Sequence, residues 1–492
     1  MRSQWLSERD TSRFPGEEEL CFRQDLAREA AYGMLTPTDR RVGHRLAGEW
    51  LGRAGEDAGL ALARHFELGG EAPRAVEAYA RAAEQALESD DFSAAIEHAG
   101  RAVGLGASDE LLGRLRLTQA EAHVHRGEFE AAQRCANEAM ALLSPAAPAF
   151  FRAAGAAAHA SGKLGDLARL KEIAGALLQT PPLPGSACAA ALANAVIQLY
   201  LGGDAALADV LIERLRALAE GSSDPEVKAH AARSAGIQAS FAGNPVATIQ
   251  HLGAAIEGFE AAGDLRAACA QKKTQGWYAG ECGAIEEGER ALRDALTVAA
   301  RLGLANLVAH AKHDIGSPLI RLGKLDEAAR FQEEAIAAFR AQGDRRLESG
   351  AHGALSWIRR LQGNSLEAQR LAREALALAP SEPLRITALA FLGAALLAAG
   401  SAREALAATE EGLRVLASCG GTEEGVALLQ LTHAEALLAE GRAEEAAQAI
   451  AAAKAGVLER AAKISDPALR ASFLGRIDEH AQILALAERF PG

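Results

Sequence analysis

Two histidines and an aspartate have the spacing that comes closest to a metal site. His310, His313 and Asp314 lie three and four positions apart, so a helix would place them on one face, where imidazole and carboxylate groups can share a metal ion. His123 and His125 are two apart and would point to different faces. We favour the alternative that these residues form a polar helix surface, and the sequence therefore predicts no metal.

Motifs for phosphate binding and nucleophilic catalysis do not occur in the sequence. A P-loop needs GxxxxGK[ST], whose backbone N–H groups and lysine hold the phosphates. Gly162-Lys163 and Gly323-Lys324 are both followed by leucine, and we place both at turns between helices. The kinase signatures, the GxSxG elbow and HExxH are also missing. We therefore expect a protein that is not an enzyme and has no cofactor.

Composition and charge narrow the function classes further. The 492 residues are 49% hydrophobic and carry a net charge of −13, which argues against nonspecific binding to nucleic acid or to an anionic membrane. The N-terminus is polar, and no apolar run reaches the roughly 18 residues that a membrane span needs. The scattered cysteines, without a CxxC, indicate a reducing, cytoplasmic location. These cysteines are Cys21, Cys135, Cys188, Cys269, Cys282 and Cys419.

A glycine that returns at a nearly constant spacing is the strongest pattern in the chain. Five successive copies, from Gly203 to Gly363, are equally spaced, about 40 residues apart, which is a period typical of repeat architectures. Asp90 marks an earlier copy, and the sequence therefore predicts about ten repeats. The glycines are Gly127, Gly162, Gly203, Gly243, Gly283, Gly323, Gly363, Gly400 and Gly441.

Each copy repeats a pattern of small residues around its glycine. Around Gly323 they are Gly316 seven positions before, Ala328 five positions after and Ala335 seven further on. Large apolar residues fill the intervening i, i+3 and i+4 positions, as expected for helices on both sides of a turn. Small residues let two antiparallel helices cross closely. The pattern predicts an all-α fold with almost no sheet.

This pattern resembles the tetratricopeptide repeat (TPR), which has a small residue at position eight, glycine at fifteen, and alanine at twenty and twenty-seven. The resemblance covers roughly residues 71–460 and implies a right-handed superhelical solenoid of about ten helix pairs. The usual repeat has about 34 residues, so the longer copies of this chain carry either longer helices or longer linkers. The copy at Gly203 is degenerate, with Val196 and Leu215 where small residues belong.

The N-terminal segment, residues 1–70, does not follow the repeat. We expect a short strand at 19–23 and helices at about 24–35 and 37–54. This segment resembles the end of the ATPase region in bacterial AAA or STAND ATPase–TPR signalling proteins, which are often linked to a Ser/Thr kinase; that family usually has a histidine where this chain has Gln24. The matching residues are Phe22, Arg23, Leu26, Arg28, Glu29, Ala30, Ala31, Tyr32, Met34, Leu35, His44, Leu46, Ala47, Trp50 and Leu51.

The expected organisation has four parts. An N-terminal segment covers 1–70, and TPR-like repeats follow over 71–180 and 186–460. A C-terminal capping helix covers 461–492. The proline-rich stretch just after residue 180 is the candidate for a break between the two blocks of repeats.

In TPR arrays the first helix of each pair lines a concave face, and counting back from each turn glycine gives the inward positions. They form a basic and aromatic stripe, which either binds a partner or packs structurally, with arginines paired to groove acids such as Glu281. Arginine and tryptophan commonly anchor interfaces. The predicted groove residues are Tyr200, His230, Arg233, Phe241, Lys273, Trp277, His310, His313, Arg321, Trp357 and Arg360.

The resulting function hypothesis is a protein-interaction scaffold or sensor arm of a bacterial signalling system, binding partner segments in the concave groove. The cations of the stripe make an acidic protein or peptide one candidate partner. A chaperone C-terminus is not predicted, since no asparagine occupies the inward position that such TPR proteins use. The main alternative is the regulatory half of a kinase or NTPase whose catalytic domains lie outside this chain. A direct sensor of a sugar or peptide is a third possibility.

Overall fold

Helices make up almost the whole of the chain. The computed structural model describes residues 5–9, 12, 14, 16–55, 59–418 and 425–490; Cys419 lies outside them. Two short strands, β1 (Leu6–Glu8) and β2 (Leu20–Phe22), pair antiparallel. The predicted all-α repeat fold is confirmed. No helix in the described part of the chain combines the length and apolar character needed to cross a membrane.

The chain divides into two compact units. Unit 1 covers Met1–Ala122 together with Ala141–Leu143, and unit 2 covers His123–Met140 together with Ser144–Gly492. The helices that begin in unit 1 are α1 (Asp25–Gly33), α2 (Pro37–Arg53), α3 (Gly59–Gly69), α4 (Ala72–Glu88), α5 (Phe92–Gly104) and α6 (Asp109–Arg126). Helices α1 and α2 lie within the ranges 24–35 and 37–54 that the sequence predicts for them.

Unit 2 consists mainly of consecutive helix pairs. Its helices are α7 (Phe129–Leu142), α8 (Pro148–Leu164), α9 (Leu167–Gln179), α10 (Ser186–Gly202), α11 (Ala205–Glu220), α12 (Pro225–Phe241), α13 (Pro245–Ala262), α14 (Leu265–Glu281), α15 (Ile285–Arg301), α16 (Ala305–Arg321), α17 (Leu325–Gln342), α18 (Arg345–Leu361), α19 (Ser365–Leu378), α20 (Glu382–Ala398), α21 (Ala402–Ser418), α22 (Val426–Ala439), α23 (Ala443–Ala462), α24 (Pro467–Gly475) and α25 (Asp478–Arg489). Within unit 2, the described residues form eight pairs, from α8/α9 to α22/α23.

Glycines with positive φ recur at equal sequence intervals through the central repeats, with φ between 68° and 96°. They are Gly243, Gly263, Gly283, Gly303, Gly323, Gly343 and Gly363. An L-residue with a side chain loses roughly 1–2 kcal/mol in this left-handed conformation, which explains why glycine recurs.

One repeat therefore consists of two long helices and two short turns. Helix α13 has 18 residues and α14 has 17 residues, and only Gly263 and Asp264 lie between them. The extra length relative to a usual TPR lies in the helices, not in the linkers.

One predicted turn position is wrong. Gly162 lies inside α8, and the turn is made by Gly165, which has a φ of 73°. A Cβ on Gly162 would lie 2.6 Å from the Cβ of Gln198, so this glycine serves close helix packing and not chain reversal. With Gly165 as the turn, the steps from Gly127 to Gly165 and from Gly165 to Gly203 are equal.

The C-terminal segment also differs from the prediction of one capping helix. Helix α23 extends to Ala462, and two short helices, α24 and α25, follow it. Asp466 caps α24 by accepting hydrogen bonds from the N–H groups of Ala468 and Leu469, and Pro467 begins the helix. An extended Ile477 separates α24 from α25.

Helices far apart in sequence meet within unit 2. The Lys163 ammonium lies 2.9 Å from the Asp344 carboxylate, and Ser472 Oγ donates to the Gly283 carbonyl at 2.7 Å. Likewise, Arg476 pairs with Glu286 at 2.6 Å. Repeats in an open solenoid contact only their neighbours. In unit 2, contacts between distant repeats instead fold the array back on itself.

We predict that Gly323→Val destabilises the turn between α16 and α17 by about 1–2 kcal/mol. The φ of 71° is the cause, since a Cβ at this position would meet nothing within 4 Å. Hydrogen exchange should accelerate over residues 310–340. Gly323→Asn is the matched control, because asparagine tolerates the left-handed conformation, and it should exchange more slowly than the valine variant. Equal exchange in the two variants would contradict a strained turn.

Candidate functional site

A cavity of about 440 Å³ lies inside unit 2. Its wall includes side chains from the first helix of eight successive pairs: α8, α10, α12, α14, α16, α18, α20 and α22. Further groups come from α13 and from the chain between α23 and α25. The volume falls in the range of roughly 300–1,000 Å³ that is typical of ligand sites.

A buried ion pair crosses one side of the cavity. The Lys163 side chain is 2% exposed and that of Asp344 is fully buried. Lys163 Nζ also donates to His310 Nε2 at 2.7 Å. Asp344 is in addition the N-cap of α18, where its Oδ1 accepts from the Leu347 N–H at 3.1 Å. One carboxylate therefore both starts a helix and fixes that helix to α8.

A second ion pair lies on the neighbouring helices. Lys273 on α14 lies 2.7 Å from the carboxylate of Asp314 on α16. The imidazole of the preceding residue, His313, hydrogen-bonds the side chain of Gln332 at 2.8 Å. Of these side chains, the sequence placed Lys273 and His313, but not Asp314, on the inner face.

Other polar groups of the cavity wall have no partner. His159 Nε2, Gln198 Oε1, Asn306 Oδ1 and Arg346 Nε are buried without a hydrogen bond to any described residue. Arg233 donates to Asn194 Oδ1 at 3.0 Å but forms no ion pair with a described carboxylate. Buried polar groups are normally satisfied, so this wall has unused capacity for hydrogen bonds and charge.

Burial and neighbouring cations keep the cavity histidines neutral. Burial lowers the pKa of His159 to about 3, and the charges of Lys163 and Arg233 act in the same direction. Burial and Lys163 lower the pKa of His310 well below its usual value. Burial lowers the pKa of Arg233 to about 10, so this guanidinium stays charged at neutral pH.

The Asp344 carboxylate stays ionised although burial opposes its charge. The Lys163 ammonium holds its pKa well below the usual range of a carboxyl. Burial lowers the pKa of Lys163 itself, and Asp344 counteracts that shift. The pair is therefore stable only as a unit, because either charge alone would be desolvated without compensation.

The structure brings six of the eleven predicted groove residues to the cavity wall and places five elsewhere. The six are Arg233, Phe241, Lys273, Trp277, His310 and His313. Those outside the wall are Tyr200, His230, Arg321, Trp357 and Arg360.

Three of the residues outside the wall make structural contacts close to it. The Tyr200 hydroxyl donates to the carboxylate of Asp209. The His230 ring packs edge-on against Phe259 with centroids 4.9 Å apart. Arg321 pairs with the cavity residues Glu281 and Glu479, at 3.0 and 3.4 Å, and thus follows the structural alternative that the sequence left open.

Trp357 and Arg360 lie together and do not line the cavity. The Arg360 guanidinium stacks over the Trp357 ring at 3.8 Å. Trp357 packs against a hydrophobic cluster that includes Ile386 and Leu428 on α20 and α22. The repeat position is the same as that of Trp277, but here the following helices cover it.

Sequence reasoning missed four groups of the site: His159, Lys163, Asp344 and Arg346. The first two are separated by four positions in a helix whose other residues, apart from Arg152, are small or apolar. A charge on such a helix face indicates a buried partner. Assigning Lys163 to a turn hides this signal. In the described part of the chain, no three His, Cys, Asp or Glu side chains come together as a metal site.

Comparison with known proteins identifies distant structural likenesses only. No family model and no curated protein match the chain. A Rap protein complexed with Competence and Sporulation Factor shares 13% identity, with a TM-score of 0.48 over 77% of this chain and 99% of that one. The APC/C hetero-tetramer Cut9–Hcn1 shares 14% identity, with a TM-score of 0.43 over 94% of this chain and 95% of that one. A Podospora anserina putative kinesin light chain with TPR-like repeats shares 18% identity, with a TM-score of 0.31 over 37% of this chain and 92% of that one. At these scores the likenesses carry no functional argument.

We predict that acid destabilises unit 2 partly through His159. Its folded pKa of about 3 lies below the ordinary 6.5, so below pH 6.5 the unfolded chain takes up a proton that the native state excludes. Stability should fall by up to about 1.4 kcal/mol per pH unit for this group as the pH drops from about 6.5 to 4.5.

The measurement is the denaturant midpoint of wild type and His159→Gln across that pH window. The unfolding free energy of the variant should vary less steeply with pH, by the slope that corresponds to about one proton. Arg370→Gln, on the exposed surface of α19, is the control and should keep the wild-type slope. An unchanged slope in His159→Gln would show that the imidazole titrates freely in the native state.

Proposed function

We propose that this chain is a non-catalytic binding protein that holds a segment of a protein or peptide partner in the cavity of unit 2. The observation that carries the proposal is a set of buried side-chain atoms in the cavity wall that have no hydrogen-bond partner among the described residues: His159 Nε2, Gln198 Oε1, Asn306 Oδ1 and Arg346 Nε. Such groups are costly in the free protein, and a ligand that satisfies them gains the corresponding free energy.

Aromatic and apolar side chains complete the cavity wall. Phe241 and Trp277 lie beside Ile237, Leu307 and Leu384. An apolar wall with a few convergent polar groups is the usual composition of a ligand site. Trp and Arg are also the residue types that contribute most to interfaces. The volume suits a short extended segment or a few side chains, and it excludes a folded domain.

The charged groups of the cavity favour binding over catalysis. His310 already accepts a hydrogen bond from Lys163, and His313 is engaged with Gln332. The lone pair of His310 Nε2 is therefore not free to act as a general base. A ligand would instead contact helices that lie far apart in sequence, such as α8 and α18, and its affinity would then favour one arrangement of the array.

The wider context of this proposal comes from the sequence. The TPR-like repeats and the likeness of residues 15–51 to the end of an ATPase region support a scaffold or sensor arm of a bacterial signalling system. In that role, occupation of the cavity would be the signal, and a change in the spacing of the repeats would be the response.

The proposal predicts that Phe241→Ala/Trp277→Ala loses the partner while the chain stays helical. Both rings line the cavity, and truncation of an interface anchor commonly costs about 2 kcal/mol or more, which is a roughly thirtyfold loss of affinity. Affinity capture with mass spectrometry from the native source compares the variants, and circular dichroism checks their folding.

Trp357→Ala is the matched control, because it removes a tryptophan at the equivalent repeat position outside the cavity. It should retain the partner. Loss of the partner in the control but not in the cavity variant would place binding elsewhere in the chain and contradict the proposal.

The regulatory-arm alternative is supported by a separate observation in unit 1. Large apolar side chains of the N-terminal segment face solvent: Leu26 and Met34 are 78% and 85% exposed, and Trp5 and Leu46 are more than half exposed. Several such residues within one short segment indicate a docking surface. In this second proposal the surface binds an NTPase or kinase chain.

For this alternative we predict that Leu26→Asp/Met34→Asp abolishes capture of an ATP-hydrolysing or kinase chain. Stability should change by no more than about 0.5 kcal/mol, because both side chains are exposed. The cavity variant Phe241→Ala/Trp277→Ala is the control and should still capture that chain. Undiminished capture by the aspartate variant would refute docking through this surface.

A further inference from the structure

We infer that the C-terminal segment, residues 463–480, is a clasp that completes the cavity of unit 2 when it is closed and separates part of the cavity wall when it is released. The clasp closes against two places in the array: the turn after α12 and the turn between α14 and α15. This inference rests on the proposed function and deepens it, because it names how access to the site is regulated.

The C-terminal segment supplies one side of the cavity wall, and α12, α14 and α16 supply side chains opposite it. The hydrogen bonds that join the two sides connect residues 158 to 221 positions apart in sequence, and the longest of these runs from Lys463 Nζ to the Ala242 carbonyl at 3.2 Å. The cavity therefore keeps its present form only while the segment stays against these helices. The cavity-lining residues of the segment are Phe473, Ile477, Glu479 and His480.

Polar contacts hold the segment at the turn between α14 and α15. Ser472 Oγ donates to the Gly283 carbonyl at 2.7 Å. Arg476 donates two hydrogen bonds to the carboxylate of Glu286, at 2.6 and 3.0 Å, and these two side chains are 44% and 56% exposed. Exposed ion pairs of this kind are weak, because water and salt compete for both charges. The contact is therefore specific in geometry but easily broken.

Most apolar contacts of the segment lie on its other side. Phe473 and Ile477 belong to a buried cluster whose members all lie within residues 427–486, apart from Val246 on α13. The His480 ring donates to the Phe473 carbonyl at 2.9 Å, also within the segment. Release from the turns therefore preserves the packing of α24 and α25 on α22 and α23. Such a local opening costs less free energy than unfolding of the helices.

Arg321 keeps an ion pair whether the clasp is closed or released. Its guanidinium lies 3.4 Å from Glu479 of the segment and 3.0 Å from Glu281 at the end of α14. On release, Glu281 remains beside Arg321, while Glu479 becomes hydrated. A buried cation left without any partner would oppose the opening strongly. The second carboxylate removes that obstacle.

Backbone meets backbone where the clasp touches Gly283. A Cβ at this position would lie 2.8 Å from the carbonyl carbon of Ser472 and from the nitrogen of Phe473. Any side chain at residue 283 would therefore push the segment away. Gly323 makes the same kind of turn, with a φ of 71° against 96° for Gly283, but a Cβ there would meet nothing within 4 Å.

The test measures the distance across the clasp in the full chain. Azide-bearing amino acids replace Arg290 on α15 and Ala471 on α24, both of which are exposed, and carry a donor and an acceptor dye for single-molecule energy transfer. The second readout is the rate at which diethyl pyrocarbonate modifies His159, measured by mass spectrometry. This histidine lines the cavity, and its Nε2 atom has no hydrogen-bond partner among the described residues.

We predict that Gly283→Ala releases the clasp and that Gly323→Ala does not. Both substitutions strain a left-handed turn to a similar degree, but only the first meets the segment. In Gly283→Ala, the distance between the dyes should increase and His159 should be modified at least about threefold faster than in wild type. Circular dichroism checks that both variants stay helical. Equal distances in the two variants would contradict a steric release.

Charge reversal tests the clasp without altering a turn. Arg476→Glu places a carboxylate against Glu286 and should increase the released population in both readouts. The double variant Glu286→Arg/Arg476→Glu restores opposite charges and should return both readouts toward their wild-type values. A double variant that stays as open as Arg476→Glu would overturn the role of this pair.

The remaining outcomes separate the clasp from the proposed function. A wild-type distance in both Gly283→Ala and Arg476→Glu would show that the segment is a fixed cap and would overturn the inference. Release without faster modification of His159 would overturn its control of the cavity. Neither readout uses the partner, so these failures leave the proposed function standing. Release of the clasp, with partner capture that does not depend on Phe241 and Trp277, would refute the proposed function and support the clasp alone.

Discussion

The buried ion pair of Lys163 and Asp344 is the interaction on which the site depends. It joins side chains 181 positions apart in sequence, both almost completely buried. Desolvation makes either charge costly alone, but at 2.9 Å, with His310 as a further acceptor for the ammonium, the two are compatible with the interior. Because Asp344 also caps α18, the helix that carries Arg346 begins at the same contact. The position of that arginine in the cavity therefore follows from the pair.

Much of the fold follows from local chemistry and was predictable. Regularly spaced turn glycines, together with small residues where helices cross, dictate paired helices almost regardless of the rest of the sequence. What the sequence does not reveal is which of two nearby glycines has positive φ. Gly162 and Gly165 cannot be distinguished in the sequence. In the structure, Gly162 packs against the side chain of Gln198, whereas Gly165 has positive φ and reverses the chain. Only the packing of α8 against α10 distinguishes them.

The site was predictable only where it depends on the repeat itself. Counting from the turn glycines identified residues such as Arg233 and Trp277, because their direction is fixed within one helix pair. Trp357 occupies the equivalent position, but neighbouring helices cover it. Arg346 and Asp344 were missed because they lie near the start of α18, and their importance arises from contact with α8. Such contacts depend on how far the array curves, and small rotations summed over several repeats set that curvature. The sequence of a single repeat therefore does not determine this curvature.

In the proposed function, the electrostatic contrast between surface and interior contributes to the selectivity of the cavity. The chain carries a net charge of −13, which disfavours the approach of anions in general, while the cavity wall includes the guanidinium groups of Arg233 and Arg346. An anion that only neutralises charge gains little, since it must also give up its hydration. A ligand that fills the aromatic side and satisfies the amide oxygens of Gln198 and Asn306 regains that loss through many contacts at once. Selectivity therefore arises from the joint requirement for charge, N–H donors and apolar surface, and no single residue of the wall could provide it.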